Sequence, residues 1–118
     1  MRKKNSGNLI AALTALSGAI AVIAGAYGAH AASGKAVEWL RTGAEYQMIH
    51  ALAGLYAAGR GKGRGIAALF LLGAAVFSGT LYAMAFGAPR WLGAVTPLGG
   101  LGMILAWIWL SVSVLRGK

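Results

Sequence analysis

A chain of 118 residues has room for one domain, and with 58% hydrophobic and only 11% charged residues it falls well below the roughly 25% charge of soluble domains. Its net charge of +9 sits at chain ends and short turns, not along a helix face, which points to membrane topology and anionic headgroups and away from nucleic acid. Cysteine is absent, which excludes disulfides, iron–sulfur clusters, thiolate zinc sites and cysteine nucleophiles.

Taken in chain order, four helical spans are expected over about 8–32, 36–59, 65–88 and 91–116. Crossing the hydrocarbon core takes about 20 apolar residues. The first span, "SGAIAVIAGAYGAHAASG" in its core, carries a stripe through Gly18, Ala21, Gly25, Gly28, Ala29 and Ala32 that lets a neighbouring backbone approach closely. Its end imitates a signal-peptidase site, with Ala29 and Ala31 at the small positions. The apolar run exceeds the usual 7–15 residues of a signal peptide, so retention as a span is expected.

The second span is the difficult one. Only Tyr46–Gly59 is free of charge, and fourteen residues reach about 21 Å. Extension back to Ala36 gives enough length but draws in Glu38, Arg41 and Glu45. Spaced i, i+3, i+7, these share one helix face and fall at headgroup depth, where charge is tolerated. A small-residue stripe runs through Gly43, Tyr46, His50, Gly54 and Ala57, so His50 is expected on a packing face. Contacts of Glu38 or Glu45 with Arg90 are expected across the outer loops. The third span brings Ser78 and Tyr82 together at i, i+4, as Tyr46 and His50 are in the second.

In the fourth span, Pro97 inside a continuous helix would remove a backbone hydrogen bond and clash with the preceding turn. The alternative is Thr96 as N-cap with Pro97 at the first helical position, preceded by a short turn or half-helix over Pro89–Val95. A kinked continuous helix is the competing arrangement.

The basic residues fix an orientation. Arg2, Lys3, Lys4, Arg60, Lys62, Arg64, Arg116 and Lys118, eight of the eleven, share one side, which predicts cytoplasmic termini. The fold class expected is therefore all-α, an integral membrane four-helix bundle. Candidate members of an intramembrane polar network are His30, Glu45, Tyr46, Gln47, His50, Ser78, Tyr82 and Thr96. Candidate outer-interface ion pairs involve Glu38, Arg41, Glu45 and Arg90. Candidate packing glycines are Gly18, Gly25, Gly28, Gly54, Gly79, Gly99 and Gly100.

Four blocks in order, "GAYGAH" (Gly25 to His30), "GAEYQMIHAL" (Gly43 to Leu52), "FSGTLY" (Phe77 to Tyr82) and "RWLGAVTPLGG" (Arg90 to Gly100), make the chain resemble the YgdD-like family of small membrane proteins. That family often has Phe where Tyr27 stands, Ser in place of Thr80 and Ile in place of Val95. The resemblance implies a four-helix protein of the bacterial inner membrane and brings no activity with it.

Three functions are in view. The first is a non-catalytic accessory or scaffold component that docks through its small-residue faces, to itself or to a larger membrane complex. The second is an oligomeric small-solute or proton transporter using His50 and Tyr46, since ionisable groups inside a membrane are functional candidates by default. The third is a lipid- or quinone-binding bundle with a cleft beneath the Arg90–Trp91 edge, anchored by Trp39 and Trp91. Membrane lipids are the expected surroundings. No cofactor or metal is expected, since His30 and His50 alone leave a metal short of ligands. Enzymatic activity is not expected either, for want of a nucleophile–base pairing or a phosphate loop.

Overall fold

A computed structural model describes residues 2–117, with side chains described for 8–117. Lys118, one of the predicted inner cations, lies outside the described residues, as do the side chains of Arg2, Lys3 and Lys4. Four helices follow one another: α1 (Arg2–His30), α2 (Lys35–Ala58), α3 (Arg64–Ala85) and α4 (Thr96–Leu115), with a 3-10 turn over Arg90–Ala94 before the last. No strand occurs among the described residues. Three stretches are long and apolar enough to cross a membrane, Asn8–His30, Arg64–Ala85 and Arg90–Leu115. The first turns of α2 carry Lys35, Glu38, Arg41 and Glu45, which sets it apart from the other three.

The molecule measures 46 × 24 × 21 Å, close to the ~40–45 Å of a bilayer with its headgroups. Its surface is that of a protein dissolved in lipid: Leu9, Leu16, Ile23, Leu52, Leu72 and Leu98 are all more than half exposed. The interior, in contrast, buries Thr14, Ser17, Gln47, His50, Ser78, Thr96 and Ser113. Apolar surface gains nothing by leaving lipid, so close packing and internal hydrogen bonds must hold the helices together.

Helices α2 and α3 form the central pair. Helix α1 lies against α2 and touches α3, whereas α4 lies against α3. Between α1 and α2 the predicted stripe is in use: a Cβ on Gly18 would meet Ala51, one on Gly25 would meet Ala44, and one on Gly28 would press into Leu40. Ala29, assigned to the same stripe, is exposed, because it has rotated past the contact line. Gly54 admits Thr14 of α1, and Gly43 accommodates the ring of Tyr82. At the α3–α4 crossing, Gly73 faces the backbone of Met103, and Gly99 faces the Phe77 amide and Gly73 carbonyl. Gly79 differs from expectation. Nothing lies within 4 Å of a Cβ placed there, because α4 crosses on the neighbouring face of α3.

The start of α4 also departs from the predicted cap. Helix α4 begins at Thr96, so no continuous helix runs through Pro97; Val95 occupies the cap position with no side-chain cap bond, and Pro97 falls in the first turn. A proline there costs nothing, since first-turn amides lack helical partners anyway. The Thr96 hydroxyl turns sideways instead, 2.6 Å from the hydroxyl of Thr80 on α3 and 3.2 Å from the Leu92 carbonyl. It ties the helix start to its neighbour.

Gly99→Ala should therefore lower stability by about 1–3 kcal/mol, the usual cost of forcing a methyl into a packed contact. Gly79→Ala should be neutral or stabilising by about 0.5–1 kcal/mol, the propensity gain for an open helical position. Thermal melting of the two variants in one detergent by circular dichroism checks the pair. Equal melting temperatures would remove the assignment of Gly99 to the helix crossing.

Candidate functional site

Polar side chains gather at two depths between the helices. The first cluster links α1, α2 and α3 through one residue. The Gln47 carboxamide donates from Nε2 to Ser17 Oγ at 2.9 Å and accepts at Oε1 from the Tyr82 hydroxyl at 2.6 Å. One helical turn back, the Ser78 hydroxyl donates 2.7 Å to the Gly43 carbonyl. Gly43 is what permits this, because its missing side chain lets the Tyr82 ring lie against the α2 backbone.

The second cluster centres on His50. Trp107 Nε1 lies 3.0 Å from His50 Nε2, and His50 Nδ1 lies 2.6 Å from the Tyr46 carbonyl oxygen. An indole N–H only donates, so Nε2 presents its lone pair, and Nδ1 carries the hydrogen given to the carbonyl. The geometry fits a neutral ring in the Nδ1–H tautomer. Both nitrogens are engaged within the chain. The ring is wrapped by Phe70 and Trp107, each with its centroid 5.8 Å away, while Tyr46 stacks nearly parallel at 6.0 Å.

Above this contact, α2 and α4 part. At their C-terminal ends they converge with α3 on a core of Ala53, Ala57, Ile66, Phe70, Ala106 and Leu110. Towards the N-terminal ends the space between them becomes a groove of about 630 Å³, floored by Phe77 and walled by Tyr46, Ile49 and His50 on one side and Met103, Ile104 and Trp107 on the other. Glu45 stands at its rim and Gly100 also lines it. Ile49 and Ile104 are half exposed, so the groove opens sideways onto the lipid-facing surface. Its long dimension, from Gly100 to Trp107, is about 10 Å at the helical rise.

Of the residues expected in a polar network, the structure brings together Gln47 and Tyr82 directly, with Ser78 one turn away. His50 instead accepts from a different partner, Trp107, and donates to the backbone carbonyl of Tyr46. Thr96 pairs with Thr80. His30 closes α1 on the exposed rim, and Glu45 is exposed, so neither enters the network. Both lie where water or headgroups solvate them more cheaply than a protein interior would.

The expected outer ion pairs also rearrange. Glu38 pairs with Lys35 at 3.6 Å, one turn back on its own helix. The Arg90 guanidinium lies 5.7 Å from the centroid of Trp39 and forms a cation–π contact in place of a salt bridge. Arg41 and Glu45 are exposed and join no ion pair among the described residues. At the Arg90–Trp91 edge, Arg90 thus contacts Trp39 in place of an acid.

Sequence reasoning missed Ser17, Thr14 and Trp107. Thr14 is fully buried and donates 2.7 Å to the Ile10 carbonyl. For Trp107 a signal was present. It stands nine residues before Arg116, as His50 stands nine before Gly59, so both sit about 13 Å from the C-terminal end of their helices. A tryptophan at that depth, away from the interface, needs an acceptor for its N–H.

A lipid-exposed apolar surface over a polar, glycine-packed interior, with three membrane-crossing stretches, defines a polytopic helical membrane protein. Residues 24–100 match the model of a family described as "Protein of unknown function (DUF423)". A "UPF0382 membrane protein" of Haemophilus influenzae is 38% identical, covering 90% of this chain and 93% of its own. The "UPF0382 inner membrane protein YgdD" of Escherichia coli K12 is 40% identical over 88% and 87%. The "UPF0382 membrane protein YwdK" of Bacillus subtilis is 36% identical over 88% and 94%. No solved structure matches the chain. The chain belongs to the DUF423 family and is a multi-pass protein of the bacterial plasma membrane.

The Gln47 bridge makes a quantitative expectation. Interhelical hydrogen bonds in membranes average about 0.6 kcal/mol and reach about 1.7, so Ser17→Ala and Tyr82→Phe should each destabilise within that range. Gln47→Leu strands both partner hydroxyls and should cost about 1–3 kcal/mol. In a Tyr82→Phe background the Gln47→Leu loss should shrink. Unfolding in mixed micelles gives the cycle, and full additivity would show that the two groups are not coupled.

Proposed function

We propose that the protein is a non-catalytic accessory component of the membrane, spanning it four times with both termini cytoplasmic. Its working surface is the outer groove between α2 and α4, which holds a flat-headed lipid-phase molecule of the isoprenoid-quinone class. The observation that carries this reading is the groove itself: aromatic walls, lateral opening and a closed lower end at the His50–Trp107 bond.

The reading of α2 as a fourth span is supported by its packing along α3 from the Gly43–Tyr82 contact to the Gly54–Ala67 contact. A helix seated that way shares the depth of its partner. Its 24 residues reach about 36 Å, which leaves the charged first turns in the outer interface. The orientation rests on the side bias of the basic residues.

The small-residue faces, the alternative docking surface, are taken up by contacts within the chain at Gly18, Gly25, Gly54 and Gly99. That supports the groove as the place for a partner molecule. Its length of about 10 Å is short for a helix crossing about 30 Å of hydrocarbon. Its volume is in the range of small-molecule sites, about 300–1,000 Å³. The Tyr46 hydroxyl has no hydrogen-bond partner among the described residues, and its ring lies 4.7 Å from Phe77. A quinone carbonyl at the rim would accept from that hydroxyl while its ring stacks between the aromatic walls.

Tryptophan fluorescence in nanodiscs tests the proposal, with a short-chain ubiquinone analogue as quencher. Wild-type protein should show a saturable quenching component that disappears in Trp107→Phe. Gly100→Leu, which places a side chain in the groove, should weaken saturation at least tenfold. Quenching that rises linearly with quinone content, and equally in Gly100→Leu, would rule the groove out as a binding site.

A further inference from the structure

At the opposite end of the molecule, the turn joining α2 to α3 presents a second concavity. This cleft of about 600 Å³ is lined by Arg60, Lys62 and Arg64 from the turn, Asn8 and Ala11 from α1, and Leu55 from α2. Its lining thus combines three cations and an amide with apolar side chains. The chain has only two acidic residues, Glu38 and Glu45, and both lie near the other end of α2. No acidic side chain pairs with the three cations of the cleft among the described residues.

Arg60 is held in place. Its Nη1 donates 3.2 Å to the Tyr56 hydroxyl, and its guanidinium carbon lies 5.8 Å from the centre of the Tyr56 ring. Its Nε is buried and has no hydrogen-bond partner among the described residues. A buried guanidinium N–H without an acceptor is costly, so the Arg60 side chain gains by turning towards an anionic oxygen in the cleft.

The turn is built to keep this geometry. The Arg60 amide bonds the Ala57 carbonyl at 3.0 Å, the Gly63 amide bonds the Arg60 carbonyl at 3.3 Å, and the Ala67 amide bonds the Gly63 carbonyl at 2.8 Å. Gly63 packs so tightly on the Ala57 carbonyl that a Cβ would collide with it. The first turn of α3 also directs its unbonded amides towards this end.

We infer that this cleft binds the phosphodiester of an anionic phospholipid, with Arg60 and Lys62 on the phosphate oxygens and an acyl chain descending along Ala11 and Leu55. A fixed guanidinium suits a phosphate because its planar fork offers several N–H donors, and juxtamembrane basic pockets are where lipid headgroups collect. The inference rests on the chain being embedded in a membrane. It does not depend on the groove, which lies at the other end of the bundle.

Delipidated full-length protein in a neutral detergent provides the test, with melting temperature followed against added lipid. Dioleoyl-phosphatidylglycerol should raise it saturably, whereas dioleoyl-phosphatidylcholine should require at least fivefold more. Lys62→Gln, an exposed turn position, should shift the phosphatidylglycerol midpoint upwards by about fivefold, and Arg60→Gln by about tenfold, the loss expected for a charge-assisted hydrogen bond. Arg116→Gln, a cation outside the cleft, should stay within twofold of wild type. Equal weakening by Arg116→Gln and Lys62→Gln would overturn the proposal in favour of diffuse surface charge. Equal effects of the two lipids, or of inorganic phosphate and phosphatidylglycerol at the same concentration, would overturn it as well.

Discussion

The Gln47 carboxamide, held between Ser17 and Tyr82, is the contact on which the arrangement of three helices depends. In lipid, apolar side chains on neighbouring helices gain nothing by leaving solvent, so register must come from directional bonds and from steric fit. Gln47 supplies the directional part for α1, α2 and α3 at one point. Gly43 and Gly54 supply the steric part by admitting Tyr82 and Thr14 on either side of it. The His50–Trp107 bond does the same for α2 and α4, which have no extensive backbone approach to each other.

This division explains why the polar groups of α2 survive in so greasy a chain. The two buried ones, Gln47 and His50, are matched by groups on other helices or by a backbone carbonyl, so the desolvation cost of burial is met inside the protein. The charged residues of the same helix stay on its outer turns, exposed. Burial and charge are thus separated by helix face: Glu45 is exposed, whereas Gln47 and His50 on the opposite side of α2 are buried.

Much of the helix framework was legible in the primary structure because charge-free length and glycine spacing report directly on helices in lipid. The stripe through Gly18, Gly25 and Gly28 and the break before Pro97 are examples. The partners of the polar residues were less legible, since helical faces within one span do not say which neighbour each face meets. Tyr46 and His50 were paired by spacing, yet the two side chains stack and the hydrogen bond goes to the Tyr46 carbonyl. His30 and Glu45 were placed near the boundary yet also counted into the polar network, and only the exposed position holds; Gly79, assigned to packing, faces open space. The outer charges misled for a related reason: an arginine beside an indole can stack as favourably as it pairs with an acid, and Arg90 found Trp39.

The first and last helices lie against different members of the central pair and make no substantial contact with each other. Such an open arrangement lets either outer helix detach without disturbing the opposite one. Pulled from one terminus in a bilayer, the chain would peel away a single helix and leave the α2–α3 hairpin seated. Insertion during synthesis can run in the reverse order, with α4 joining a three-helix assembly that Gln47 has already locked.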